Sequence, residues 1–162
     1  MDSLRMRAGL GTRLRHVLEL LDGDVAVYLV DLGVEDYRPR FTPVVGALLS
    51  LGPSPIRDLA RAVSVTHSAA SQTVAQMSKR GLVTLEPGED ARQRIVHLTE
   101  KTRALLPLLE AEWAATTAAA AELDAELPHP LGEVLDAIVL ALERRPFRER
   151  IAAAAADREK SG

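Results

Sequence analysis

Between Thr42 and Thr99 the chain is cut by Pro and Gly into pieces that leave room only for short elements, and most cuts carry a start or stop signal. Thr42-Pro43 opens one helix, because Thr caps free backbone N–H groups and Pro is preset for the first helical position. Val44, Val45, Leu48, Leu49 and Leu51 point inward, and Gly52-Pro53 stops the run. Ser54-Pro55 repeats the start signal ahead of the stripe Ile56, Leu59, Ala60 and Val63. Ser64-Val65 connects to the next helix, with Val65 expected to plug the space between the two. Thr66 caps that helix, whose buried row is Ala70, Val74 and Met77, and Gly81 ends it behind Lys79 and Arg80, cations favoured by the helix dipole. Two short helices so joined make a helix-turn-helix. Leu82 to Glu86 and Arg94 to Leu98 then read as strands around the turn pair Pro87-Gly88, which completes the order of a winged helix.

The flanks are helical. Leu10, Leu14, Val17, Leu18 and Leu21 recur at helical spacing up to an expected break at Asp22-Gly23-Asp24, and Val25 to Leu32 fits either a helix or a strand. Thr99 caps a long helix running to about Leu127, where Pro128-His129-Pro130 breaks it. Its apolar row at 105, 109, 113, 116, 120, 123 and 127 keeps close to the 3.5-residue repeat of paired helices. Leu131, Leu135, Ile138 and Leu142 begin another helix, interrupted at Pro146. The expected fold class is mainly α with a small β wing.

At 162 residues the chain is about one domain long. It has no Cys, which excludes disulfide scaffolds and thiolate zinc sites and fits a reducing cytoplasm. The longest apolar-rich uncharged stretch, Phe41 to Ile56, contains three Pro and two Gly, so no membrane span is expected. The N-terminus lacks the apolar run of a signal peptide, and the expected location is cytoplasmic. The four His (16, 67, 97 and 129) stand apart from one another, and no nucleophile elbow or phosphate-binding Gly loop occurs. Neither an enzyme nor a cofactor or metal is expected.

Charge is unevenly distributed. Residues 54–103 hold eight basic residues against five acids, while 104–143 hold eight acids and no Lys or Arg. Within the basic part, the 17 residues Ala62 to Ser78 carry no charge, although a chain that is 27% charged would place about four or five there. His67, Ser68, Ser71, Gln72 and Gln76 take the exposed positions that Glu and Lys would normally occupy. Short neutral donors and acceptors at the start of a second helix suit base edges in a major groove, and Gln can address adenine with both ends of its amide. A neutral protein-contact face is the alternative. In the hairpin, Arg92 is placed to enter a minor groove, with Asp90 orienting its guanidinium; a solvated charged hairpin is the plainer reading.

Residues 42–103 resemble the MarR family of winged-helix transcriptional regulators. The resemblance rests on the helix-turn-helix phase, on Lys79-Arg80-Gly81-Leu82-Val83 closing the second helix, and on Asp90-x-Arg92 ahead of Leu98-Thr99. It implies a winged helix-turn-helix lobe at 33–103, flanked by dimerisation segments at 1–32 and 104–155, with 156–162 as a tail. By position, Ser68, Ser71 and Gln72 would face the major groove and Thr66 and His67 would lie near phosphates or bases. Arg92 would be the minor-groove residue, braced by Asp90 and helped by Arg94. Thr102 departs from the family's frequent Gly just after the wing, and Gln72 stands where a basic residue is common.

The implied partners are a homodimer mate and double-stranded DNA with a pseudo-palindromic operator, bound to block transcription. A small aromatic or anionic ligand that releases the DNA is also implied. The residues expected to line its site are His16, Tyr37, Arg38, Arg40, Phe41 and Trp113. The competing function is a winged-helix protein-interaction module without specific DNA binding.

Overall fold

The computed structural model describes residues 9–88 and 93–161. Its elements run α1 (Leu10–Asp31), a 3-10 turn (Pro39–Phe41), α2 (Thr42–Leu51), β1 (Ser54–Pro55), α3 (Ile56–Ala62), α4 (His67–Lys79), β2 (Val83–Pro87), β3 (Arg94–Leu98), α5 (Glu100–Glu126), α6 (Leu131–Arg144) and α7 (Phe147–Ser161). The mainly α fold with a small β wing is therefore the one the sequence implies. The chain divides into two compact units, residues 1–113 and 114–162, with the boundary inside α5.

In the first unit the core collects Leu29 of α1, Val45 and Leu48 of α2, Leu59 of α3, Met77 of α4 and Leu109 of α5, closed by Val83 and Val96 of the sheet. β3 is central in a three-stranded antiparallel sheet, pairing β2 from Val83–Leu98 to Pro87–Arg94 and β1 at Ser54–Val96 and Pro55–Ile95. The third strand corrects the expectation that Ser54 caps a helix. Its hydroxyl donates to the Gly52 carbonyl at 3.0 Å, and Pro55 is tolerated because it lies on an edge strand.

Three further expectations change. α1 runs unbroken through Gly23, since burial of Leu29 and packing of Val25 against the core hold its second half. A glycine inside a helix costs only about 1 kcal/mol, which tertiary packing outweighs. Thr42 does not cap α2: its Oγ1 accepts from Trp113 Nε1 at 3.2 Å and lies 3.2 Å from the Tyr37 hydroxyl. Val65 is 45% exposed rather than plugging the helix pair, and Ser64 makes the turn in the left-handed region at φ 55°.

The start of α5 is fastened to the end of α4 by side chains. Thr99 Oγ1 donates to the Gly81 carbonyl at 2.7 Å and accepts from Thr102 N at 3.3 Å, which makes it the expected cap. Thr102, where a Gly is common in the family it resembles, is fully buried, and its hydroxyl donates to the Leu82 carbonyl at 2.6 Å.

In the second unit, Asp124 Oδ1 accepts from Leu131 N at 2.8 Å and so caps α6 across the Pro128-His129-Pro130 break. Arg150 Nη2 donates to the Ala141 carbonyl at 2.8 Å, closing the corner between α6 and α7. No α6 residue is buried, and Val139 and Leu140 are more than half exposed.

Two outcomes follow for stability. Thr102→Val keeps the shape but removes the buried donor; Leu82 O retains Thr99 N at 3.2 Å, so the expected loss is about 1 kcal/mol. It is read as a lower urea midpoint with an unchanged slope, and an unchanged midpoint would contradict the assignment. Tyr37 is pushed up to about 12 from 10.0, mainly by burial, with the hydroxyl contact to Thr42 opposing and the Glu112 charge adding to the rise. The unfolded chain then gives up this proton before the folded one. Its contribution is present in full below pH 10 and drains away as pH rises toward 12. Urea midpoints of the wild type should therefore fall more steeply than those of Tyr37→Phe across that alkaline window and in parallel below it.

Candidate nucleic-acid interface

Local chemistry sets α4 in place. Thr66, extended at φ −67° and ψ 152°, accepts from Ala69 N through its Oγ1 at 3.2 Å, satisfying a free donor of the first turn. Ala70, Val74 and Met77 face the core. At the other end Gly81, at φ 70°, turns the chain so that Leu82 N reaches the Met77 carbonyl at 2.9 Å. The left-handed turn favours glycine there, because a side chain would strain the backbone.

With the inner row buried, the opposite face is presented to solvent. Thr66, His67, Ser68, Ala69, Gln72, Ala75 and Lys79 are exposed, while Ser71 is half-buried. Gln76 departs from its expected exposure: it is half-buried, and its Oε1 is enclosed without a hydrogen-bond partner. Gln72 is therefore the amide that stands free on this face.

Beside the first turn of α4 lies an open groove of about 330 Å³, lined by Pro55, Ile56, Arg57, His67, Gln93 and Arg94. It brings together three elements: the start of α3, the first residue of α4 and the base of the wing. Arg57 did not emerge from the sequence as a site residue. Its only local sign was a cation in the first turn of the leading helix of the pair, and its neighbours in the groove are remote in sequence. Arg57 Nε donates to Asp58 Oδ1 at 3.2 Å, an exposed pair that leaves the terminal nitrogens other directions to use. The wing closes with Gly88 N donating to the Gln93 carbonyl at 3.0 Å. The expected minor-groove residue Arg92 and its partner Asp90 lie outside the described residues.

The C-terminal end of α4 is held from the α5 side. Lys101 Nζ donates to the Arg80 carbonyl at 3.0 Å and pairs with Asp36 Oδ2 at 2.6 Å, holding the Asp36 carboxyl below the ordinary carboxylate range. Arg80 and Arg40 both stack over the Phe41 ring, at 6.0 and 5.6 Å.

Of the residues expected to line a ligand site, Tyr37 and Phe41 are fully buried and meet edge to face at 5.8 Å. In this structure they fill the core rather than line a cavity. Trp113 is half-buried and joins them through Thr42. Arg38 donates to the Glu35 and Tyr37 carbonyls, Arg40 is exposed beside Phe41, and His16 is exposed on α1. Among the described residues no three potential metal ligands gather, and no helix is long and apolar enough to cross a membrane.

Residues 42–93 match the model of the MarR family. No curated protein matches the chain by sequence. Among solved structures, a transcriptional regulator of Mycobacterium tuberculosis in complex with DNA aligns at TM-score 0.64 and 23% identity, over 87% of this chain and 99% of that one. The PcaV transcriptional regulator of Streptomyces coelicolor, solved with its natural ligand, aligns at TM-score 0.59 and 22% identity, over 90% and 91%. A MarR family regulator of Neisseria meningitidis aligns at 0.54 and 22%, over 86% and 95%. The match to the MarR family thus covers residues 42–93, which hold the helix pair and the first strand of the wing, in a chain with the fold of these solved regulators.

Proposed function

We propose that this protein is a homodimeric, sequence-specific DNA-binding transcriptional regulator, acting as a repressor that a small ligand releases. The observation that carries the reading is the face of α4. It is uncharged until its last turn, exposes hydroxyls and a free amide, and borders a groove that holds Arg57, His67 and Arg94 together. Neutral groups suit base edges, and the neighbouring cations suit phosphates. Ser68, Ser71 and Gln72 face the bases in this reading. Arg57 and Arg94 hold the backbone, and Arg92, oriented by Asp90, enters the minor groove.

Dimerisation is supported by unsatisfied apolar surface in each unit. α1 exposes Leu14, Leu18 and Leu21, and α6 exposes Val134, Leu135 and Val139. Such surface is what a self-association interface covers. Two copies would place two recognition helices on half-sites about one helical turn apart. Ligand release is supported by the fold shared with the PcaV regulator solved with its natural ligand. A ligand acts here by favouring a spacing of the two helices that the operator does not match.

The first test is anisotropy against the DNA upstream of the protein's own gene and a scrambled duplex. The expected affinity is on the order of 10⁻⁸ M or tighter at about 0.15 M salt, roughly a thousandfold above scrambled DNA, with a steep loss as salt rises. Equal weak binding to both that is indifferent to salt would favour the protein-interaction module instead. Arg57→Ala should weaken all duplexes alike and flatten the salt dependence by about one unit of log–log slope. The dimer is tested by sedimentation: Val139→Glu should shift the protein toward monomer and weaken operator binding, and a dimer of unchanged strength would remove α6 from the interface.

A further inference from the structure

The exposed face of α4 has a narrower chemistry than a general DNA reader needs. Ala69, Gln72 and Ala75 follow one another at three-residue spacing, about 4.5 Å apart along the helix axis, so the free amide stands between two methyl groups. Guanine presents two acceptors to the major groove and is read above all by Arg or Lys. α4 offers neither before Lys79, in its last turn. The arginines of this surface, Arg57 and Arg94, sit instead in the side groove with His67. The second amide of the helix, Gln76, is half-buried with its Oε1 enclosed by protein, so it does not offer a base both ends of its amide.

Resting on the DNA-binding reading above, we propose that α4 selects A·T pairs: Gln72 reads an adenine, and the methyls of Ala69 and Ala75 pack on thymine C5-methyl groups. Adenine is the base that uses both ends of a Gln amide, since its N6 amino group donates to Oε1 while its N7 accepts from Nε2. Guanine would turn an acceptor toward Oε1, cytosine would use only the carbonyl, and thymine only the amino end. An alanine has nothing to offer a base edge except a methyl contact, and the thymine methyl is the apolar group that the major groove displays. Ser68 bonds to any pair and adds no competing preference. Positioning and specifying are thus separated on this surface, with the arginines beside the helix and the neutral readers on it.

The test is selection of duplexes from a randomised library by the full chain, followed by measurements on the enriched duplex. The expected half-site has an A·T pair at the step read by Gln72. Exchange of that pair for G·C should lower affinity roughly tenfold to a hundredfold. Deoxyuridine in place of the neighbouring thymines, which removes only the methyl, should lower it severalfold. Gln72→Ala, at an exposed helical position where Ala is well tolerated, should erase discrimination at one step while the salt dependence stays as steep. Gln72→Arg should move that step toward guanine. A specific, salt-dependent duplex with G·C at that step, or one indifferent to both deoxyuridine and Gln72→Ala, would overturn the A·T assignment and leave DNA reading standing. Failure to enrich any duplex, with salt-independent binding throughout, would overturn both.

Discussion

The placement of α4 depends on the carbonyls left unpaired where that helix ends. A helix leaves its last four C=O groups without partners, and here side chains at the start of α5 answer the three carbonyls just past that end. Thr99 reaches Gly81, and Thr102 and Thr99 both reach Leu82, while Lys101 takes the Arg80 carbonyl. Three of the first four residues around the start of the long helix thereby set the axial position of α4. Inside the core, Met77 and Leu109 complete the attachment. Lys101 extends it to the loop after α1 through Asp36, an exposed pair whose own contribution to stability is small. Its value is geometric, since one ammonium fixes the end of α4 against two other segments.

The start of α4 is determined differently. Thr66 caps it locally, Ser64 turns the preceding chain at positive φ, and Val65 N returns to the Ala60 carbonyl at 3.0 Å. These contacts are all within a few residues, which is why the helix, its cap and its buried row were legible in the sequence. Thr42-Pro43 and Ser54-Pro55 carry a nearly identical local signal but a different outcome. Thr42 finds Trp113 and Tyr37, and Ser54 finds Val96 across a sheet. A capping motif records what a side chain can do for its own helix and is silent about better partners far along the chain. Gly23 shows the same limit, because the burial of Leu29 overrides its helix-breaking tendency. Tyr37 and Phe41 suggested a ligand site by residue type, and only the packing shows that core demand absorbs both rings. Arg57 was missed for the same reason in reverse: its significance lies in its neighbours His67 and Arg94, which the fold alone brings to it.

The two departures from the pattern of the family the chain resembles, Thr102 and Gln72, have distinct physical consequences. Thr102 replaces a conformationally free residue with a buried donor, so the junction between the wing and α5 gains a bond to Leu82 as well as side-chain volume in the core. Gln72 acts on the surface. A basic residue at its position would add affinity for phosphates on every duplex, because that term is electrostatic and independent of sequence. An amide there leaves this face without that charge and, in the proposed function, offers a group whose bonds would depend on the base opposite.

That exchange is consistent with the charge pattern of the whole chain. A net charge of −3, with no Lys or Arg across residues 104–143, gives little general attraction to a polyanion. Attraction is confined to the basic stretch 54–103, and within it Arg57 and Arg94 lie beside α4, whose exposed face carries no cation before Lys79 in its last turn. Weak background binding raises the ratio of specific to non-specific affinity, the quantity that matters when a genome offers a vast excess of wrong sites. A DNA-reading helix uncharged until its last turn would then have a rationale. In the proposed function the flanking arginines would give the protein enough hold to sample a duplex, and the bonds that distinguish one sequence from another would be made by side chains that gain nothing from the backbone charge.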